Sequence, residues 1–176
     1  MMTTLTSLYF RSAFAFIVLA MAGALFITHA EAESSVNITA NVLASPCAVS
    51  ADSLAKPVNL GEVWTSKLKQ AGDASDWVSF DISVIDCPAT TTQATLKVTG
   101  TPDETNQYYK NDGTSQHVAI EVANDAGSLP NGATFTATVD TLHQAIFAMK
   151  SRMISQDGAA TSGTVSGLLE LSFTYR

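Results

Sequence analysis

Few side chains in this 176-residue sequence are of the types that perform catalysis, and their spacing does not favour it. The sequence contains only 2 cysteines and 3 histidines, and because a structural zinc site usually takes four such ligands, this composition argues against one. Ser115 and His117 lie two positions apart, where strand side chains point the same way without being placed as nucleophile and base. No nucleophile-elbow, zinc-protease, phosphate-loop or calcium-loop motif is present. The pattern predicts a protein that is not an enzyme and has no metal or cofactor.

The N-terminal segment has the features of an export signal. Arg11 precedes an apolar run, 12–27, which at about 16 residues is short for a membrane span, and small residues then allow cleavage after Ala30 or Ala32. These three features describe a secretory signal peptide over residues 1–30. An uncleaved membrane anchor is the alternative, disfavoured because Glu31 follows the run without basic residues. The expectation is therefore export, with no membrane insertion after cleavage.

The two cysteines suit an exported protein. Cys47 and Cys87 are separated by 87 − 47 = 40 positions and neither belongs to a CxxC pair. In an oxidising compartment such cysteines are expected to pair, which stabilises the fold by about 4 kcal/mol in the chain-entropy model. Two free buried thiols are the alternative.

Composition narrows the class of protein further. Apolar residues make up 46% of the chain and charged residues 14%, so the chain has enough apolar surface to form the core of one folded domain. The net charge is −7, from 9 basic and 16 acidic residues, without a basic cluster. This balance argues against a nucleic acid or an anionic membrane surface as partner.

Hydrophobic alternation with short spacings between turn residues predicts an all-β sandwich. The predicted strands cover residues 81–85, 94–99, 117–122, 134–139 and 144–154, and the best helical candidate is 61–71.

Both ends of the mature chain alternate as well. The final segment, 163–176, places apolar side chains at odd positions, which indicates a half-buried strand that reaches the last residue. The opening segment, 34–43, has an apolar face made of Val36, Ile38, Ala40 and Val42. Such an arm needs a groove to bury these side chains. Periodicity alone leaves open whether the groove belongs to another molecule or the arm is an ordinary first strand.

The mature sequence resembles the pilin subunits of chaperone–usher fimbriae. The shared features are the alternating N-terminal extension, a cysteine soon after it, a second one about forty residues later, a glycine fourteenth from the end, and a penultimate tyrosine. In this chain the last four are Cys47, Cys87, Gly163 and Tyr175. Within the family, the segment 108–116 (YYKNDGTSQ) is most similar to FimG-type minor subunits of type 1 fimbriae.

The resemblance implies an incomplete immunoglobulin-like sandwich that lacks its final strand and is completed by a donor strand. It divides the chain into a signal peptide (1–30), a donor-strand extension (33–44) and a pilin domain (45–176). The extension would plug a neighbouring subunit with Val36, Ile38, Ala40 and Val42, and Ser34 would occupy the outermost pocket. A periplasmic chaperone would fill this subunit's own groove until exchange at the outer-membrane usher. The edge strand of that groove is assigned to Gly163, Val165, Leu169, Leu171, Phe173, Tyr175 and Arg176.

The function implied is that of a structural subunit in a cell-surface fimbria, with neighbouring subunits at both ends. The FimG-like segment favours a minor tip adaptor over a major shaft pilin, the main alternative. A single-domain carbohydrate-binding adhesin is a further alternative, because Trp64 and Trp77 could stack on sugars.

Overall fold

The computed structural model describes residues 46–176, and the account that follows concerns them. Nearly all regular structure is β. The elements, in chain order, are β1 (Ala48–Val49), α1 (Ala51–Leu54), a 3-10 turn (Thr65–Lys67), β2 (Val78–Ile85), β3 (Gln93–Gly100), β4 (Tyr109–Lys110), β5 (Ala119–Asn124), β6 (Gly127–Ser128), β7 (Thr134–Thr138), β8 (Ala145–Ile154) and β9 (Leu169–Tyr175). None of the helices among these residues is long and apolar enough to cross a membrane.

The larger sheet has six strands, in the order β1-β2-β8-β5-β4, with β6 also paired to β5. Strand β8 is its centre: it pairs antiparallel with β2 from Val84↔Ala145 to Val78↔Ser151, and with β5 on its other side. Alternate residues of these strands face inward. Val84 and Phe147 are completely buried, whereas Ile146 on the outer face is 54% exposed.

The smaller sheet has three strands, in the order β7-β3-β9. The central strand β3 places Ala94, Leu96 and Val98 in the core with no exposed surface. Strand β9 pairs with β3 from Ala94↔Tyr175 to Gly100↔Leu169, so it forms one edge of this sheet.

The two sheets enclose one core, and a disulfide closes one end of it. Phe147 of the larger sheet packs on two aromatic rings of the smaller one, with ring centroids 5.4 Å from Phe135 and 5.7 Å from Phe173. Cys47 and Cys87 are bonded to each other, which confirms the predicted pairing. The predicted all-β, immunoglobulin-like architecture is also confirmed.

The helical candidate, 61–71, for which a turn or two is expected, forms the single 3-10 turn Thr65–Lys67. Two other predicted elements differ from the structure. The strand predicted from His117 begins at Ala119, because His117 has a positive φ of 60° that no extended strand adopts. The strand predicted over 163–176 begins at Leu169, so Gly163 and Val165 lie in the irregular segment before it. The signal peptide and the donor-strand extension lie outside the described residues.

Candidate functional site

The free edge of β9 is the main unsatisfied feature of the described fold. The Arg176 N–H donates to Gln93 O at 2.9 Å, and the Gln93 N–H donates to Arg176 O at 3.1 Å. Because bonded pairs alternate along an antiparallel ladder, the backbone groups of the odd residues of β9 point away from β3. Those residues are Leu169, Leu171, Phe173 and Tyr175. Their N–H and C=O groups therefore form an open edge that can accept another strand.

The same odd residues also carry the apolar side chains of β9, and these are incompletely covered. Their alternate burial places them at the rim of the core, each only partly buried, whereas their even neighbours are exposed. On the adjacent β3, Leu96 and Val98, which pair with Phe173 and Leu171, are fully buried. The apolar side chains of β9 therefore lack neighbours on the side away from β3.

A groove of about 1650 Å³ runs along this edge. Its floor is formed by core residues of the larger sheet, and its second wall is formed by the segment between α1 and the 3-10 turn. The floor includes Phe80, Ile82, Tyr109, Ile120 and Met149, and the second wall includes Pro57, Val58, Leu60, Val63 and Trp64. An apolar trough beside an unpaired strand edge matches an extended segment with alternating apolar side chains.

The chain before β9 is held against the loop 111–116. Asn111 is the centre of this contact: its Nδ2 donates to Ser115 O at 2.8 Å, and its Oδ1 accepts from Ser166 N at 2.9 Å. The approach is close, since a Cβ on Gly163 would lie 2.5 Å from the nitrogen of Ser115. Residues 163–168 therefore bond to a loop instead of to β3, which explains why the regular strand begins at Leu169.

Tyr109 fixes the floor of the groove to the core. Its side chain is 2% exposed, and its hydroxyl donates to Leu129 O at 3.0 Å. Burial raises the pKa of Tyr109 to about 12. The neutral phenol is thus the form that the fold requires.

Residues considered for catalysis are not arranged for it. The Ser115 hydroxyl donates to Thr161 O at 2.8 Å, which uses it structurally. His117 lies 3.9 Å from Asp157, and both side chains are largely exposed. In residues 46–176 there is no group of three or more side chains suited to holding a metal ion.

The two tryptophans have different surroundings. The guanidinium carbon of Arg152 lies 4.2 Å from the centroid of a Trp77 ring, so this face is occupied by a cation. Arg152 in turn bonds Glu121 at 2.7 Å. Trp64 is 81% exposed. Trp77 therefore packs within the fold, whereas Trp64 lies open at the groove.

The sequence and the open-edged sandwich both match proteins of one known family. The family model for fimbrial proteins matches residues 36–176. The chain belongs to this fimbrial protein family. It is 36% identical over 147 residues to the fimbrial-like protein YdeR of Escherichia coli K12, covering 82% of this chain and 86% of that one. It is 35% identical over 160 residues to FimG of the same organism, covering 90% of this chain and 92% of that protein.

A solved structure supports the fold independently. The rod subunit PapA of the P pilus superposes with a TM-score of 0.62 at 20% identity, over 75% of this chain and all of the other. The predicted resemblance to chaperone–usher subunits is confirmed. The chain is a structural subunit of a fimbria, a family whose members are exported to the cell surface and are not enzymes.

The structure brings together only part of the predicted site. Leu169, Leu171 and Phe173 of β9 line one wall of the groove, and Gly163 and Val165 line it from the irregular segment before β9. Tyr175 and Arg176 follow on the same strand end and are not among the lining residues. Ser34, Val36, Ile38, Ala40 and Val42 are outside the described residues. Sequence reasoning did not assign the second wall, whose signal was the alternation of Val58 and Leu60. It included Asn111 in the FimG-like segment 108–116 without assigning its contacts to Ser115 and Ser166.

Proposed function

We propose that this subunit polymerises by donor-strand complementation and exchange. A periplasmic chaperone first supplies a strand to the groove beside β9. At the outer-membrane usher, the extension of the next subunit replaces that strand. The extension of this subunit, residues 33–44, fills the groove of the preceding subunit in the same way.

One observation carries the proposal: the residues of β9 that leave their backbone groups unpaired are also those whose apolar side chains are half-buried. A single added strand satisfies both deficits, because it pairs the open edge and covers Leu169, Leu171, Phe173 and Tyr175. Without such a strand, an open edge beside apolar surface promotes aggregation. This tendency to aggregate is a physical reason why the subunit needs a chaperone that supplies the strand early.

The donor side is supported by the sequence of the extension. Val36, Ile38 and Val42 are large aliphatic side chains on one face, and burying each contributes roughly 1.5–3 kcal/mol. Ala40 is small and lets the incoming backbone seat closely. Ser34 takes the outermost pocket. The terminal residue, Arg176, lies at the end of β9 where a chaperone would bind the chain end.

Exchange needs no nucleotide if the fibre link is better packed than the chaperone complex. The free energy then comes from the extra apolar burial in the second state. The link persists for long times because opening it exposes the groove.

Within the fibre, we place the subunit as a minor tip adaptor. The likeness to FimG along most of both chains supports this position. The alternative is a major shaft subunit. Immunogold labelling of intact fibres separates the two, because an adaptor is labelled near the tip and a shaft subunit along the whole length.

The groove assignment is tested by purification from periplasm. We expect a 1:1 complex with the chaperone, from which a peptide of a neighbouring subunit's extension displaces the chaperone. Leu171→Asp places a charge in the groove and is expected to abolish both complexes. Ser172→Asp is the matched control, since this side chain is exposed on the same strand. If Leu171→Asp binds chaperone and peptide as well as Ser172→Asp does, the groove is not the binding site.

A further inference from the structure

A turn at one end of the subunit presents an apolar side chain that the fold does not use. The turn connects β7 to β8, and its Leu142 is 75% exposed. The turn is firmly held: Asp140 Oδ1 accepts from Leu142 N at 2.9 Å and from Gln144 N at 3.0 Å, and Asp140 N donates to Gln144 O at 2.8 Å. An exposed leucine on a rigid turn has little freedom to fold back and bury itself.

This turn is linked to the first described residues of the chain. Its His143 O accepts a hydrogen bond of 3.0 Å from Cys87 N, and Cys87 is bonded to Cys47. The first described residue is Pro46, next to that disulfide. Leu142, the disulfide and the start of the domain thus share one end of the molecule, which we call the Cys47 pole.

The tether between two linked subunits is short. If Val42 sits in a neighbour's groove, only five Cα steps separate it from Cys47, and these span at most about 18 Å. Strand β3 alone, with eight residues, is about 26 Å long. The tether therefore holds the Cys47 pole within about 18 Å of the neighbour's groove, so Leu142 lies at the end of the molecule where the two domains can meet.

The matching surface lies at the opposite end. Leu169 pairs with Gly100, the last residue of β3. The turn that carries Leu142 follows Thr138, which pairs with Gln93, the first residue of β3. At the Gly100 end, Leu168 is 77% exposed and Trp64 81% exposed, and both line the groove. We call this end the Leu168 pole. A fibre that grows in one direction needs the incoming tether to leave at this pole, because the subunit's own tether leaves at the other.

We propose that Leu142 packs against the neighbouring fimbrial subunit whose groove holds this chain's extension, on the surface at the mouth of that groove that corresponds to this chain's Leu168 pole. The contact is heterologous and head-to-tail, joining unlike surfaces of successive subunits. It rests on the proposed donor-strand function and adds a second contact to it. Its effect is to fix the angle between subunits that a bare tether would leave free.

The test is site-specific photocrosslinking in assembled fibres. The full chain carries benzoylphenylalanine at Leu142, at Ile38 in the extension, or at Lys97, an exposed residue in the middle of β3. Mass spectrometry then maps each crosslink on the partner subunit. We expect position 142 to crosslink to the partner's residues at the mouth of its groove, position 38 to crosslink inside that groove, and position 97 to give no crosslink above background.

The two proposals fail separately. A crosslink from position 38 without one from position 142 overturns the Leu142 contact and leaves strand exchange standing. A crosslink from 142 without one from 38 overturns the strand exchange and, with it, the contact as proposed, because the neighbour's groove then does not hold the extension. Absence of both, in fibres that contain the chain, overturns both.

Discussion

Tyr109 shows how one residue supports the groove from below. Its ring forms part of the floor, and its hydroxyl satisfies the buried carbonyl of Leu129. A buried carbonyl left without a donor costs about 1–3 kcal/mol. The hydroxyl therefore contributes to stability at a position where an apolar ring alone would fill the same space.

The raised pKa of Tyr109 makes this contribution depend on alkaline pH. Burial holds the pKa at about 12 in the folded state, against 10.0 for the ordinary side chain. The stability that it contributes is complete below pH 10 and is lost as the pH rises from there towards 12, because the unfolded chain ionises first. We expect the urea midpoint of the wild type to fall more steeply across this range than that of Tyr109→Phe. Parallel curves for the two proteins would contradict the assignment.

The disulfide is the second residue-scale feature with a measurable effect. It closes a loop of 40 positions, and the chain-entropy model assigns about 4 kcal/mol to a loop of this size. We expect Cys47→Ala with Cys87→Ala to lower the free energy of unfolding by that order, measured by denaturant titration of the peptide-complemented subunit. The wild type under reducing conditions should show the same loss. A loss well under 1 kcal/mol would show that the bond is not structural.

At the scale of elements, the sequence predicts the strands whose side chains are alternately buried and exposed. It does not predict where a strand ends when contacts with a neighbouring loop determine that end. The strands β2, β3, β7 and β8 were predicted because one of their faces enters the core, which leaves a period of two in the sequence. The segment before β9 carries the same alternation, yet it bonds to the loop at Asn111 instead of to β3. Periodicity reports which side chains are apolar, and it does not report which backbone groups pair. The second wall of the groove was missed for the same reason.

The close packing of that segment can be tested at Gly163. A methyl group there would lie 2.5 Å from the backbone nitrogen of Ser115, so backbone must shift to accommodate it. We expect Gly163→Ala to destabilise the subunit by about 1–3 kcal/mol and to weaken hydrogen-exchange protection at Ser115 N and Ser166 N. Ser162→Ala, a change at the neighbouring exposed residue, is the control. It should leave the stability and the exchange protection at both amides unchanged. Equal protection in the two variants would mean that the segment tolerates the extra volume.

At the scale of the whole molecule, the subunit has two unlike ends. One end carries the disulfide, the first described residue, Pro46, and Leu142. The other end carries Leu168 and Trp64 at the mouth of the groove. Interfaces between unlike surfaces propagate when they do not close into a ring. Two unlike ends thus allow successive subunits to join head to tail, and a fibre results when the rotation from one subunit to the next does not close a ring.

The extension gives the sharpest test at this scale, because its two faces differ. Ile38→Asp would bring a charge into an apolar groove, where an unpaired charge costs several kcal/mol. Thr39→Asp adds the same charge on the opposite face, where β-alternation directs it to solvent. The groove of both variants is intact, so both should form the 1:1 chaperone complex. Only Ile38→Asp should fail to join the preceding subunit, as measured by fibre yield and by heat-resistant subunit pairs on gels. Fibres of normal yield from Ile38→Asp would assign the plug to other residues, whereas loss of the chaperone complex in both variants would place the extension within the subunit's own fold.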